Sequence, residues 1–161
     1  MVAAGPYEGY LFPDTYFFPP SATADSIVEM VRKNFDDKVA PLMDDMSASG
    51  HSLFEVVTMA SIIEKEANDD TGRRLVSGIL WRRLALKMPL QVDAAPDTYK
   101  HQGFPPEPIA NPGLDALDAA IRPTKSDYLY YLTGRDGLMH YATTFTGHQA
   151  NLRHYGLITV K

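Results

Sequence analysis

Residues 58–69 read Thr-Met-Ala-Ser-Ile-Ile-Glu-Lys-Glu-Ala-Asn-Asp, a stretch apolar enough for a core helix that still carries Glu64 and Glu66. Burying a carboxylate costs several kcal/mol unless it is paired or protonated. The helix holding this stretch starts at Ser52, because Ser52 and Glu55 have the spacing of a capping box. On a wheel of 100° per residue, Leu53, Val56, Val57, Ala60, Ile63 and Ala67 share a broad apolar face, and Glu64 falls inside it. Glu66 lies about 200° from Glu64, between Met59 and Ile62. Thr58, Ser61 and Lys65 form a narrow polar sector. The two carboxylates therefore point apart and cannot form a dyad from this helix alone. The wheel makes Glu64 the more buried of the two. It does not separate a catalytic carboxyl from a glutamate that frays into solvent or pairs with Lys65 and nearby arginines.

Outward from this helix, the pattern is mostly helical. Upstream, EGYLFPDTYFFPP is an extended, aromatic and proline-rich segment, too apolar for a solvated tail. Ser21 or Thr23 then caps a helix whose apolar residues are Ile27, Val28, Val31, Phe35 and Val39, and Pro41 ends it. Downstream, a helix runs from about Thr71 to Lys87, with Leu75, Val76, Ile79, Leu80 and Leu84 on one face. Arg73, Arg74, Arg82 and Arg83 flank that face and read first as solvated charge, second as a substrate clamp. Residues 88–113 are irregular and hold six prolines, and long irregular segments often carry function. Asn111 as N-cap and Pro112 at the first helical position open the next helix, with Leu114, Leu117, Ala120 and Ile121 buried and Pro123 as its stop. DYLYYLTGRDGLMHYATTF reads as a β-hairpin turning at Asp136-Gly137. A last helix covers about Gly147 to Tyr155 and ends at Gly156. The fold class is α+β, mainly helical with a small antiparallel hairpin, in a single domain over residues 1–161.

Composition narrows the function. The chain has 161 residues, 45% hydrophobic and 22% charged, with a net charge of −5. That is a globular composition with no basic face for nucleic acid, and it makes a poor partner for anionic lipid. There are no cysteines, which removes disulfides, thiolate metal sites and cysteine nucleophiles. The five histidines show no metal-ligand spacing, and neither a GxSxG elbow nor a P-loop occurs. No metal or cofactor is expected. The tyrosines fit strand packing first and sugar stacking second. No run approaches the roughly 20 apolar residues of a membrane span, and the opening MVAAGPYEGY is no signal peptide.

Five stretches in order, EGYLFPDTYFF, TMASIIEKEA, LWRRLALKMPLQVD, GFPPEPIANPG and DYLYYLTGRDGLMHYATTF, together resemble the catalytic domain of the MltG-like (YceG-like) endolytic murein transglycosylases. The resemblance implies a lysozyme-like α+β domain that cleaves the β-1,4 bond from N-acetylmuramic acid to N-acetylglucosamine in peptidoglycan glycan strands. The muramic 6-hydroxyl attacks its own anomeric carbon and leaves a 1,6-anhydro end. One carboxyl suffices as acid and then base, unlike the pair of an ordinary glycosidase. The resemblance puts that role on the second glutamate of the EKE triplet, Glu66, overruling the wheel. It makes Gln91, Asp93, Tyr99 and Glu64 the candidates on the substrate side, Glu64 also being a structural candidate. It gives the GFPPEPIANPG stretch the groove wall, with Asn111 a cap rather than a ligand.

One departure stands out. After LQxD the family runs through a substantial insert to a YNTY-like motif, whereas here Asp93 is followed directly by Ala94-Ala95-Pro96-Asp97-Thr98-Tyr99. The family's first Tyr and its Asn fall on Pro96 and Asp97. The matching pair in related transglycosylases helps hold substrate, so a non-catalytic glycan-binding or cell-wall-synthesis scaffold domain is the competing reading. A hydrolase using water, with Asp93 or Glu64 opposite Glu66, is a third. Members also carry an N-terminal membrane helix and a LysM-like module. The expected setting is the outer face of the cytoplasmic membrane, with cell-wall synthesis enzymes as further partners and this fragment itself soluble.

Overall fold

A computed structural model describes residues 7–156. The helix identified by its capping box is the centre of the fold. Ser52 Oγ accepts from Glu55 N–H, while the Glu55 carboxylate accepts from Ser52 N–H at 2.8 Å. The first helices are α1 (Ala24–Val39), α2 (Met43–Ser49), α3 (Leu53–Glu66) and α4 (Asp70–Ala85). They are followed by α5 (Leu114–Ile121), the strands β1 (Tyr130–Thr133) and β2 (Met139–Ala142), and α6 (Phe145–His154). Every residue from Val56 to Ile63 is buried. A helix apolar on nearly all sides must be wrapped by others, and α5 and α4 pack on α3.

The polar sector of the wheel is a correction: Thr58 and Ser61 are fully buried. Ser61 Oγ donates to the Thr58 carbonyl at 2.7 Å and accepts from Ile109 N–H at 3.0 Å. The irregular segment after α4 thus lies along this side of α3, satisfied by a buried hydroxyl. Only Lys65 of that sector reaches solvent.

The first helix ends at Val39, just ahead of Pro41. Pro41 sits in a short 3-10 turn, Ala40–Leu42, that leads directly into α2, because proline is tolerated in a first helical turn. Thr23 caps α1, with Ser26 completing a reciprocal box. Asn111 is not a helix cap either. Its Oδ1 accepts from Gly9 N–H at 2.8 Å and Leu11 N–H at 3.1 Å, tying the aromatic N-terminal segment to the start of α5.

Helix α4 reaches the loop after α5 through a close approach at Gly78, where a Cβ would lie 2.0 Å from the Thr124 carbonyl oxygen. Beside it, Thr124 N–H donates to Arg74 O at 2.9 Å. The hairpin pairs Tyr130 with Ala142 through to Thr133 with Met139. Its connection is a three-residue loop rather than a two-residue turn. Gly134 N–H donates to Leu138 O, and Gly137 takes the left-handed conformation at φ 77°. Thr144 caps α6, so that helix begins two residues before the sequence pattern suggests.

Candidate active site

The two glutamates of α3 reach different parts of the molecule. Glu64 Oε2 accepts from the N–H of Gly113 at 3.1 Å. Gly113 is the N-cap of α5 and has no side chain of its own to offer. Glu64 therefore satisfies a donor at the start of another helix, where a negative charge is also favoured by the helix dipole. It does not line the cleft.

Glu66, the last residue of α3, does. The cleft has a volume of about 550 Å³. Its lining comes from Glu66, from Arg83 of α4, from Gln91, Asp93 and Tyr99, from all of β1, and from Phe145, His148 and Leu152 of α6. Tyr131 O–H donates to Glu66 Oε2 at 2.9 Å. Burial raises the Glu66 pKa above its ordinary value. The Tyr131 hydrogen bond opposes this, the Asp93 charge adds to it, and the nearby Ala94 N–H opposes it again, with burial prevailing. Its place at the carboxyl end of a helix works in the same direction as burial. The result is a carboxyl biased toward its protonated form and aimed into a cleft, the state a general acid requires.

Gln91, Asp93 and Tyr99 come together with Glu66. They ride on a tight loop organised by Thr98, which is 2% exposed. Thr98 Oγ1 accepts from Val92 N–H at 3.1 Å and donates to Ala95 O at 2.6 Å, while Gln91 N–H donates to Thr98 O at 3.2 Å. The direct run from Asp93 to Tyr99 is therefore a closed loop with its polar groups satisfied. Within it, Tyr99 O–H donates to Asp93 Oδ1 at 2.6 Å. That bond, followed by burial, pushes the Tyr99 phenol up to about 12. Gln91 holds a left-handed backbone at φ 52°, a conformation that costs a non-glycine residue energy and concentrates at functional sites.

Arg83, whose second reading is a substrate clamp, and residues that the sequence pattern did not single out complete the cleft. Arg83 is 4% exposed, and its Nη2 donates to Gln91 Oε1. Its charge lies 5.5 Å from the Tyr130 ring centroid. Arg73, Arg74 and Arg82 pair with Asp115, with Asp70 and Asp118, and with Asp127. These three fit the reading as helix charge; Arg83 does not. Tyr130 also stacks on His148 at 5.3 Å and meets Phe145 at 5.9 Å. Burial, then the Arg83 charge, lower the His148 pKa and favour its neutral ring. Tyr131 is pushed well above the ordinary phenol range, by burial first and the Glu66 charge second, so it stays a donor. A tyrosine-rich strand and an adjacent arginine pair were the only signals for this wall, and both fit packing equally well. The GFPPEPIANPG stretch is not part of the cleft. Phe104 packs edge-on against Trp81, Ile109 bonds Ser61 and Asn111 holds the N-terminal segment. Its expected role as a groove wall is replaced by one in bracing α3 and the N-terminal segment.

Known proteins share this arrangement of chain. The YceG-like family matches residues 2–96 and 97–154, the break falling where the sequence lacks the expected insert. The chain is 33% identical to an endolytic murein transglycosylase of Bacillus subtilis, over 89% of this chain and 46% of that protein. It is 30% identical to one of Streptococcus pneumoniae serotype 2, over 90% of this chain and 31% of that protein. It thus spans half or less of these relatives. The crystal structure of a YceG-like protein from Listeria monocytogenes superimposes with a TM-score of 0.85 at 33% identity, covering 90% of this chain and 55% of that one. On the family match and these likenesses together, the chain belongs to the YceG-like family.

Proposed function

We propose that this chain is the catalytic part of a peptidoglycan lytic transglycosylase, with Glu66 as its single acid and base. The observation that carries the reading is the Glu66 carboxyl: half-buried at the cleft, held by Tyr131, and biased toward protonation. The relatives are endolytic murein transglycosylases, which supports murein glycan as the substrate.

In the proposed reaction, the Glu66 proton passes to the bridging oxygen as the bond from the muramic anomeric carbon breaks. The 6-hydroxyl oxygen of the same sugar bonds to that carbon, and its proton returns to Glu66. The catalyst is restored and no water is consumed. Gln91, Asp93 and Tyr99 line the path of the glycan, and the tight loop at Thr98 fixes their spacing. Glu64 stands outside this set, in the contact with Gly113. No helix among the described residues is long and apolar enough to cross a membrane. Attachment at the outer face of the cytoplasmic membrane, beside cell-wall synthesis enzymes, would have to come from outside the described residues.

A second reading has one observation in its favour. Asp93 shares the cleft with Glu66, and two carboxylates flanking a sugar can activate water. Mass spectrometry of products from purified glycan strands separates the readings. Products ending in 1,6-anhydromuramic acid, lighter by one water than hydrolysed ends, support the transglycosylase. Hydrolysed ends move the assignment to a hydrolase with Asp93 as the water activator. Strands bound but uncut would leave a binding module.

A further inference from the structure

All four residues of β1 line the cleft. Side chains of a strand alternate between faces, so four in a row border one cavity only when the cavity runs along the edge of the strand. Among the described residues no strand pairs with that edge, because the sheet has two strands and β1 pairs with β2.

The phase of the ladder identifies which groups face outward. Gly134 N–H donates to Leu138 O inside the hairpin, and Asn151 Nδ2 reaches the Tyr141 carbonyl from outside it. Pairs therefore alternate so that Tyr130 and Leu132 turn their main-chain groups toward β2. Tyr131 and Thr133 turn theirs toward the cleft. Among the described residues no group bonds these outward N–H and C=O groups. They lie about 7 Å apart, the repeat of an extended peptide.

A second observation comes from α4. Arg83 is almost wholly buried and faces the same cleft, yet it has no carboxylate partner among the described residues. Its Nε also lacks an acceptor. A guanidinium has five donors, and an uncompensated buried charge is costly unless a ligand supplies the anion.

We infer that the open edge of β1 and the Arg83 guanidinium together form a receptor for the peptide stem of murein, the main-chain groups of Tyr131 and Thr133 pairing with stem amides and Arg83 taking a stem carboxylate. This rests on the murein reading and extends it from the sugar to the peptide. The chemistry of the substrate places the two sites side by side. The stem hangs from the lactyl group of the muramic sugar, two ring carbons from the anomeric centre that Glu66 would serve. Tyr131 links them physically: its hydroxyl holds Glu66 while its main chain belongs to the edge. Adding an extended peptide to an open edge strand is a common recognition mode, and a charge-assisted bond to a carboxylate is among the strongest single contacts a side chain makes.

The test uses Glu66→Gln as the background, so that strands stay intact, and measures binding of two probes by calorimetry. One is glycan strands bearing their stems. The other is the same strands stripped of stems by an amidase. Stem-bearing strands are expected to bind roughly ten- to hundredfold more tightly, the range of one or two charge-assisted bonds. Adding Arg83→Gln should remove most of that preference, read as the ratio of the two affinities because Arg83 also holds Gln91. Arg83 is buried and its loss could unfold the chain, so Thr133→Pro gives an independent probe. It deletes an outward N–H at an exposed position of an edge strand, where proline is tolerated. It should lower the preference several-fold, with the circular dichroism spectrum unchanged. Equal affinity for the two strand types in the Glu66→Gln background would overturn the stem receptor and leave the murein reading standing. Binding to neither would sink both.

Discussion

Glu64 and Glu66 leave the same turn of one helix and meet opposite fates. Glu64 turns to the side where α5 begins and closes an open backbone donor at Gly113. Glu66 turns to the cleft, where a tyrosine holds it and burial lifts its pKa. The first carboxyl accepts from a helix start; the second is partly desolvated, with no cation paired to it among the described residues. Carboxylates of equal chemistry and nearly equal sequence context thus divide into one that braces a helix start and one that faces the cleft, where the proposed reaction needs its proton donor.

The comparison can be sharpened by changing those surroundings. Replacing Tyr131 with Phe removes the bond that orients Glu66 and favours its anion. Turnover of murein strands should fall roughly ten- to hundredfold. A general acid works only while protonated, so activity is lost as pH rises through its pKa. Without the Tyr131 bond that pKa goes higher still, and the alkaline limb of the pH–rate profile should move to higher pH. An unmoved limb would detach Tyr131 from the acid.

Asp93→Asn acts with the opposite sign. The Asp93 charge raises the Glu66 pKa, so neutralising it should shift the alkaline limb to lower pH and reduce the rate by about three- to tenfold. A thousandfold loss, with hydrolysed ends in the wild-type products, would instead make Asp93 the water activator. The smallest effect belongs to the other glutamate. Glu64→Ala leaves the Gly113 N–H without its acceptor and should cost about 1 kcal/mol of stability, a Tm lower by about 2–4 °C for a chain of this size. The turnover number measured well below that Tm should stay within about twofold of wild type.

Much of the frame was legible because its signals are local. The capping box of Ser52 and Glu55 fixed the start of α3, and the Asp136-Gly137 turn signal located the hairpin. The divergence of the two glutamates followed from helical geometry. What stayed hidden depends on partners distant in sequence. Asn111-Pro112 carries the local signature of a helix start, but the Gly113 donor is satisfied by Glu64 from 49 residues away, and this frees Asn111 to hold Gly9 and Leu11. Thr58 and Ser61 form a polar sector on the wheel, and nothing in their own turn announces that both are buried and that Ser61 meets Ile109. Arg83 has the same sequence neighbourhood as Arg82. Only the Tyr130 ring and the Gln91 side chain that meet Arg83 make one a surface ion and the other a buried cation. The role of Glu66 itself came from the resemblance of the EKE triplet to its family, and the wheel favoured its neighbour.

The most direct measurement is turnover of purified murein glycan strands by Glu66→Gln and Glu64→Gln side by side, with melting curves confirming that both are folded. Each substitution preserves side-chain volume and an acceptor oxygen, and each removes only the ionisable carboxyl. The account predicts that Glu66→Gln loses at least roughly a thousandfold in rate, the scale of a general acid, while Glu64→Gln keeps a rate close to wild type. Substantial turnover by Glu66→Gln, or its loss in a folded Glu64→Gln, would contradict it.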